Sequence, residues 1–404
     1  MDNQTEERNG MNLAPTNKLY YQSAYLEQWQ TSVIHTMERD GEHYAILKES
    51  GFYPHGGGQP CDTGTINGIP VVDVVAEGEV ILHKVAAPLA EGEASCRLDW
   101  GRRFDHMQQH SGQHLLSAVC RSVCQGTTVS FHLGTDYATI DVDQGAVTPE
   151  QLAEIEREAN RHIYLNHSMN GYFVTVEEAA RLPLSKALQV TDNIRIVEMK
   201  DVEYNACGGT HVSSTGAIGL IKLLKAEKQK GNTRIYFKCG GRAMDEFNEC
   251  VQILGALSAR FNTGKEELTD RIGKWELEYK QLQAELAAVK EQNDSYLIRE
   301  LLTQSEDGLI ARLFTDKPLK DLQNLAAKLA AESGLLVLLA TSMENKVVLA
   351  HQQGDSFHCG AYFKENLGAF GGKGGGSDKI AQAGFPDQGA ALSYYEFASA
   401  DLKK

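Results

Sequence analysis

From Leu19 to Cys96 apolar and polar residues alternate between turns such as Asp40-Gly41, Asn67-Gly68 and Glu91-Gly92. That period of two predicts an antiparallel β-domain, a small barrel in kind. The period then lengthens. Phe104 to Val123 carries apolar residues at helical spacing, strands are expected around Thr128 to Val142, and a helix follows from Pro149 to about Leu165. Thr148 caps that helix, Pro149 takes its first position and Gln151 completes a capping box. Strands around Ile194 to Val202, Gly219 to Lys225 and Thr233 to Lys238 complete a mixed region.

A second capping box, Thr263 with Glu266, opens a long helix. Its apolar positions, Leu268, Ile272, Trp275, Tyr279, Leu282, Leu286, Val289 and Tyr296, follow one another in fours and threes, interrupted by Asn293. This heptad seam suits either a coiled coil between chains or a hairpin closed by a second helix, Lys317 to Glu332. Strands Leu335 to Ala340 and Lys346 to Ala350 come next, then a glycine-walled loop, Gly368 to Asp378, with Lys373 at its centre. That loop fits neither phosphate fingerprint: Leu367 and Ser377 stand where glycines would be required. It can cradle an RNA backbone or simply pack as a turn. The expected class is α+β, divided into a disordered tail (1–18), a glycine-rich β-domain (19–100), an α+β domain (101–247), a long-helix linker (248–325) and a C-terminal α/β domain (326–404).

Composition narrows the class. A length of 404 residues, 42% hydrophobic and 23% charged, is that of a globular protein with two to four domains. No stretch approaches the ~20 apolar residues that span a bilayer and no signal segment opens the chain, so a cytoplasmic protein is expected. Eight scattered cysteines imply reduced thiols. The net charge of −15 argues against indiscriminate nucleic-acid binding. A local basic face stands against that average: Lys222, Lys225, Lys228, Lys230, Arg234, Lys238 and Arg242, with Glu227 the one acid among them. A strand edge protected by lysines would look the same.

The chemistry concentrates in two short segments. His110-Ser111-Gly112-Gln113-His114 places two imidazoles at i, i+4, on one helical face. About 90 residues on, Cys207-Gly208-Gly209-Thr210-His211 places a thiolate and an imidazole round a diglycine turn. Together they form a Cys/His₃ set, suited to one Zn²⁺. Ser111 stands where a HExxH protease needs its glutamate. Cys120 and Cys124 are excluded as ligands, since Cys124 lies roughly 21 Å along the helix from His110. A third segment, Ser50 to Gly64, carries three consecutive glycines before Gln59, with proline on both flanks. Such a loop lets backbone N–H groups approach a ligand.

The series FYPHGGGQPCDTG, RRFDHMQQHSGQHLLSA, CGGTHVSSTGAIG and RIYFKCGGRA strongly resembles the AlaX trans-editing proteins, free-standing relatives of the editing domain of alanyl-tRNA synthetase, from about Lys18 to Arg242. The long helix and the GAFGGKGGGSD segment resemble the DHH-associated domain of the long AlaX form. The resemblance implies zinc on His110, His114, Cys207 and His211, with His211 the ligand expected to loosen first. It implies an editing pocket containing Gln59, and a hydroxyl at Ser50 that reads serine. Ser111 replaces the family's threonine. With no aminoacylation segment ahead of these motifs, the chain is expected to edit and not to charge.

The implied reaction is hydrolysis of the ester joining serine or glycine to alanine tRNA. Gln59, Ser50, Gly57 and Gly58 are the expected catalytic set, with amides of residues 56–58 holding water or the developing oxyanion. Lys222, Lys225, Lys228, Lys230, Arg234, Arg242 and Lys373 are expected to contact tRNA, and the long helix with the C-terminal domain to assist a homodimer. Three alternatives stand: a hydrolase of another aminoacyl ester, an idle tRNA-binding module with structural zinc, and a DHH phosphoesterase. The last lacks any Asp-His-His motif.

Overall fold

The computed structural model describes residues 14–185, 193–305, 308–352 and 357–403. It forms two compact units, residues 1–257 and 258–404. Most of the expected 1–18 tail lies outside the described residues, but its end is ordered. Thr16 is buried, its N–H donates to the Glu79 carbonyl at 3.0 Å, and Asn17–Lys18 pair in parallel with Glu49–Ser50.

Six strands close the first sheet into a barrel: β1 (Gln28–Arg39), β2 (Glu42–Leu47), β3 (Gly64–Ile66), β4 (Ile69–Glu77), β5 (Val80–Val85) and β6 (Gly92–Leu98), in the order β1-β2-β5-β4-β3-β6. Inward positions such as Val33, Leu47, Ile66, Val74 and Ile81 fill it, which is the burial that the alternation encodes.

Helix α1 (Trp100–Cys124) follows, capped by Asp99, whose carboxylate accepts from the Arg102 N–H at 3.2 Å. Its neighbours are β7 (Thr128–Leu133), β8 (Ala138–Val142) and α2 (Pro149–Leu165), which carries the expected capping box. A three-stranded sheet, β9 (Met169–Val174), β10 (Ile194–Met199) and β11 (Glu203–Ala206), lies beside the hairpin β12 (Ile221–Gln229) and β13 (Asn232–Cys239), which extends β7 and β8 in the order β12-β13-β8-β7. Met107, Leu115, Leu116 and Val119 of α1 share one core with Ile140, Ile155, Ile235 and Phe237. A buried ion pair ties helix to barrel: Arg103 Nε donates to Asp62 Oδ1 at 3.0 Å, and its Nη2 reaches the Gly51 carbonyl at 2.6 Å. Asp62 also accepts from the Tyr53 N–H at 2.6 Å, so both ends of the glycine loop are anchored to α1.

The sequence pattern did not reveal α3 (Gly240–Phe261), whose single buried apolar residue is Ala243. The long helix α4 (Leu268–Thr303) lacks the Thr263 capping box: Glu267 stands at its cap with no side-chain bond to the backbone. From Trp275 on, its seam is not covered among the described residues: Trp275, Tyr279, Leu282, Leu286, Val289 and Tyr296 are all exposed, while Leu268 is buried. The second helix, α5 (Leu319–Ser333), packs instead on the far end of α4, where Ile298 and Leu301 join Leu322, Leu325 and Leu329, and Lys290 pairs with Asp321 at 2.8 Å. That end of α4 and strand β14 (Leu309–Phe314), also unexpected from the pattern, belong to the second unit's core. No boundary falls at 326. The sheet continues through β15 (Leu336–Thr341) and β16 (Lys346–Ala350) to β17 (Lys373–Gly376) and β18 (Ile380–Gly384), in the order β14-β15-β16-β18-β17. Part of the expected glycine loop is thus an edge strand, and Lys373 lies exposed on it.

Candidate metal and editing site

His110 and His114 project from α1 toward the turn that follows β11, where Cys207 and His211 sit. One ligand atom from each of the four lies within 4.8 Å of every other. Cys207 Sγ is 3.4 Å from His110 Nε2 and 3.3 Å from His211 Nε2. Each imidazole has a partner behind it at Nδ1: Gln59 Oε1 for His110 at 2.9 Å, Ser111 Oγ for His211 at 3.1 Å, and for His114 the Glu203 carboxylate at 3.5 Å, with the Asn205 amide nitrogen at 2.9 Å beside it. This is how metal-binding histidines are oriented, with Nε2 left for the ion. His114 Nε2 is buried without a hydrogen-bond partner; in the neutral tautomer whose Nδ1 proton faces Glu203 it is an unpaired acceptor, a costly state that a cation at the centre of the four would relieve. The donor set fits a metal ion.

Electrostatics favour the ligand form of the thiol. Burial opposes ionisation of Cys207, but His110 and His211 beside it hold the thiol well below its usual range. Burial also pushes His211 down to about 3, with His110 adding to it. Burial works the same way on His114 but loses to Cys207 and Glu203, which raise it to about 9.

The turn approaches α1 closely. A Cβ on Gly209 would lie 2.2 Å from His110 Cε1, so only glycine lets the chain pass there. Arg195 holds the same turn, its Nη1 donating to the carbonyls of Cys207 and Gly209 at 2.9 Å each. The glycine loop closes the other side. Gly57 and Gly58 have φ of +58° and +81°, both central residues of a tight turn that only glycine pairs adopt at low cost. Gly56 and Gln59 bond across it. Among the described residues the amides of Gly57 and Gly58 have no acceptor, and both line a cavity of ≈ 460 Å³ beside His110, His114 and Cys207.

Of the other two expected catalytic residues, Gln59 lies against the cluster and Ser50 lies apart from it. Gln59 is buried: Oε1 accepts from His110 and from the Thr210 N–H at 3.1 Å, while one proton of Nε2 goes to Thr210 Oγ1 at 2.8 Å. Its carbonyl is placed to orient His110. Ser50 is sealed inside the barrel. Its Oγ sits 2.7 Å from His83 Nε2 and accepts from the Phe52 N–H at 3.2 Å. His83 Nδ1–H donates to the Ala45 carbonyl at 3.0 Å, and burial lowers its pKa to about 4, so Nε2 is the acceptor for the serine proton. The structure does not bring Ser50 to the cavity.

The basic run is largely neutralised. Arg234 grips Asp141 with two bonds of 2.7 and 2.8 Å, Arg242 does the same to Asp105, and Lys222, Lys225 and Lys238 pair with Glu156, Glu227 and Glu246. Lys228 and Lys230 alone in the run have no acidic partner among the described residues. A second group, His55, Cys61 and Asp73, is close enough to hold a metal. There, however, Asp73 Oδ1 already accepts from His55, Cys61 and the Val74 N–H, and no atom is orphaned.

Sequence reasoning missed Ser111, Glu203 and Arg195 as supports of the ligands. The segment HSGQH contained the signal for the first, since a residue one past His110 turns toward whatever packs across the helix.

Comparison with known proteins agrees with these motifs. A family model described as the threonyl and alanyl tRNA synthetase second additional domain matches residues 194–236. The alanyl-tRNA editing protein AlaX-L of Pyrococcus horikoshii is 32% identical over 386 residues, 90% of this chain and 93% of its own length. Aarsd1 of Danio rerio, also called an alanyl-tRNA editing protein, is 34% identical over 67% of this chain and 64% of its own. The alanine–tRNA ligase of Pyrococcus furiosus is 32% identical over 93% of this chain, which spans 42% of the ligase. A structure of exonuclease RecJ bound to manganese covers 36% of this chain and 38% of its own at 15% identity and a TM-score of 0.28, too remote to bear on fold or activity.

Proposed function

The chain belongs to the alanyl-tRNA editing protein family, and we propose that it removes serine, and more weakly glycine, from wrongly charged alanine tRNA while sparing the alanine ester. As an aminoacyl-tRNA hydrolase it acts in trans on the ester. The observation that carries this reading is the convergence of His110, His114, Cys207 and His211, the first three at the wall of a cavity of ≈ 460 Å³, the size of a small-ligand site.

The four residues would hold one Zn²⁺, which when bound supplies Lewis-acid polarisation of a carbonyl. The protein's own groups do the rest. Gln59, Ser111 and Glu203 stand behind the three imidazoles at Nδ1 and orient them. Gly57 and Gly58 line the cavity, and their amides, without an acceptor among the described residues, can meet the negative charge that develops on the carbonyl oxygen. Water adds to the carbonyl carbon, the ester C–O bond breaks, and the ribose oxygen leaves with a proton. Phe131, stacked on His110 with ring centroids 5.4 Å apart, covers the cluster on that side.

Such an activity is needed because a pocket for alanine rejects glycine by only about 10–200-fold and rejects an added hydroxyl poorly. Lys228, Lys230 and, in the second unit, Lys373 are the exposed cations offered to the tRNA backbone. The uncovered seam of α4 supports pairing of two copies. The test is deacylation of Ser-, Gly- and Ala-charged alanine tRNA by metal-replete and metal-stripped protein. The replete protein should clear serine fastest and leave alanine. Equal clearance of all three esters would sink the specificity.

A further inference from the structure

One face of the sheet β12-β13-β8-β7 belongs to the core, where Ile235 and Phe237 of β13 and Ala138, Ile140 and Val142 of β8 pack with α1. Side chains alternate along a strand, so Arg234, Tyr236 and Lys238 stand on the opposite face, with Thr139 and Asp141 beside them. Pairing arranges that face in rows. Asp141 lies between Ser130 and Arg234, and Thr139 lies between His132 and Tyr236, whose other neighbour is Lys225.

Tyr137, one residue ahead of β8, meets Tyr236 edge to face with ring centroids 5.2 Å apart. Lys225 Nζ sits 4.5 Å from the centroid of the Tyr236 ring and is itself held by Glu227 at 2.6 Å. The lysine therefore braces Tyr236 by a cation–π contact, and Tyr236 braces Tyr137. This is not a core cluster: Tyr137 is 41% exposed and Tyr236 is half-buried. Grouped aromatic exposure of this kind marks a surface that meets a partner.

The position of the pair says which partner. Val129, Ser130 and Phe131 of the edge strand β7 line the cavity beside the metal cluster. Phe131 is paired with Ile140, and Tyr137 lies three residues before Ile140, so it stands roughly 10 Å along the strands from the cavity wall. The tip of the adjoining hairpin carries the exposed Lys228 and Lys230. We infer that Tyr137, braced by Tyr236, is a stacking platform for an unpaired nucleobase at the 3′ end of the substrate, next to the nucleotide that carries the ester. The inference rests on the deacylase reading above.

Unpaired bases offer a π-face whatever their identity, so an aromatic ring holds them without reading sequence. A sheet that packs helices on one side and shows aromatic rings on the other is suited to splayed single-stranded RNA. Cations at the hairpin tip supply the attraction to phosphate, and the ring fixes where the strand lies. A duplex, whose bases are already stacked on one another, gains nothing from the ring.

The experiment titrates a short single-stranded RNA ending in C-C-A, and a blunt RNA duplex of similar length, against the full-length protein and its Tyr137→Ala, Tyr236→Ala and Tyr137→Trp variants. The alanine variants should bind the single strand roughly 5-fold or more weakly, with the slope of log K against log salt unchanged, and bind the duplex as wild type does. Tyr137→Trp should restore single-strand affinity. On Ser-charged alanine tRNA the loss should fall on KM rather than on kcat. Melting curves report folding, and should Tyr236→Ala unfold, the exposed Tyr137 decides the matter. Unchanged single-strand affinity in folded Tyr137→Ala overturns the platform, and so does an equal loss on the duplex. Wild type that binds the single strand through Tyr137 but clears no ester overturns the deacylase reading and leaves the platform standing.

Discussion

Gln59 Oε1 accepts the Nδ1 proton of His110 at 2.9 Å, and the same oxygen accepts the Thr210 N–H at 3.1 Å. One amide from the glycine loop therefore sets the tautomer of a ligand on α1 and fixes the turn bearing Cys207 and His211. Through this side chain the barrel's contribution to the site is orientation.

Gln59→Ala should accordingly weaken metal affinity about 10–100-fold, as loss of a ligand's supporting bond does. Activity should return when metal is supplied in excess. Chelator competition measures the first and deacylation at saturating metal the second. A variant that binds metal normally yet stays inactive would place Gln59 in contact with substrate or water.

Ser50→Ala should act on stability and leave selectivity alone. It strands His83 Nε2, which is fully buried, and removes the acceptor of the Phe52 N–H. The expected loss is roughly 1–3 kcal/mol in denaturant unfolding, with the serine-to-glycine ratio unchanged. An altered ratio at unchanged stability would return this hydroxyl to the active site.

The barrel, α1, the capping box of α2 and the four residues that come together as a group able to hold a metal are legible in the sequence for a common reason: each is written in local spacing. Alternation, the i, i+4 pair and the Thr148–Gln151 box need no partner to be recognised. What local spacing does not reveal depends on partners distant in the chain. Ser50 reads as a free hydroxyl until β5 brings His83 against it, and Gln59 reads as catalytic until Thr210, 151 positions away, takes its amide. The basic run reads as a face until Asp141 and Asp105 arrive from other elements. Helix α3 escapes the pattern because its apolar residues are not buried and its glycine start resembles a turn. The heptad seam of α4 is plain in its spacing, but nothing in that spacing says that α5 takes only the far end.

Stability should fall with acid in a window set by buried histidines. Burial depresses His83 to about 4, below its usual 6.5, and His106 to about 3, where Arg102 and Arg242 add to the effect. The unfolded chain binds these protons first, so stability is complete above pH 6.5 and declines as pH falls toward 4, each group costing up to about 1.4 kcal/mol per pH unit in that range. His83→Gln should remove one proton from the slope. An unchanged slope in unfolding free energy against pH would show that His83 is already charged in the folded protein.

Salt dependence separates the cations that hold the fold from those that meet RNA. Arg234 is bonded twice to Asp141, whose carboxyl is held below the usual range first by that guanidinium, and the pair locks β13 to β8. Arg234→Ala should therefore cost roughly 1–2 kcal/mol of stability, because a half-sheltered carboxylate loses its partner. It should leave the dependence of tRNA affinity on salt nearly unchanged. Lys228 and Lys230, at the tip of the β12–β13 hairpin, are exposed and unpaired among the described residues, so each is available to displace counterions from phosphate. Neutralising either should flatten the slope of log K against log salt by up to about one and leave thermal stability intact. Filter binding across a salt series, with melting curves on the same samples, measures both. A flattened slope for Arg234→Ala without loss of stability would mean that the ion pair opens to admit tRNA, and would make Asp141 a competitor for the phosphate in place of a brace.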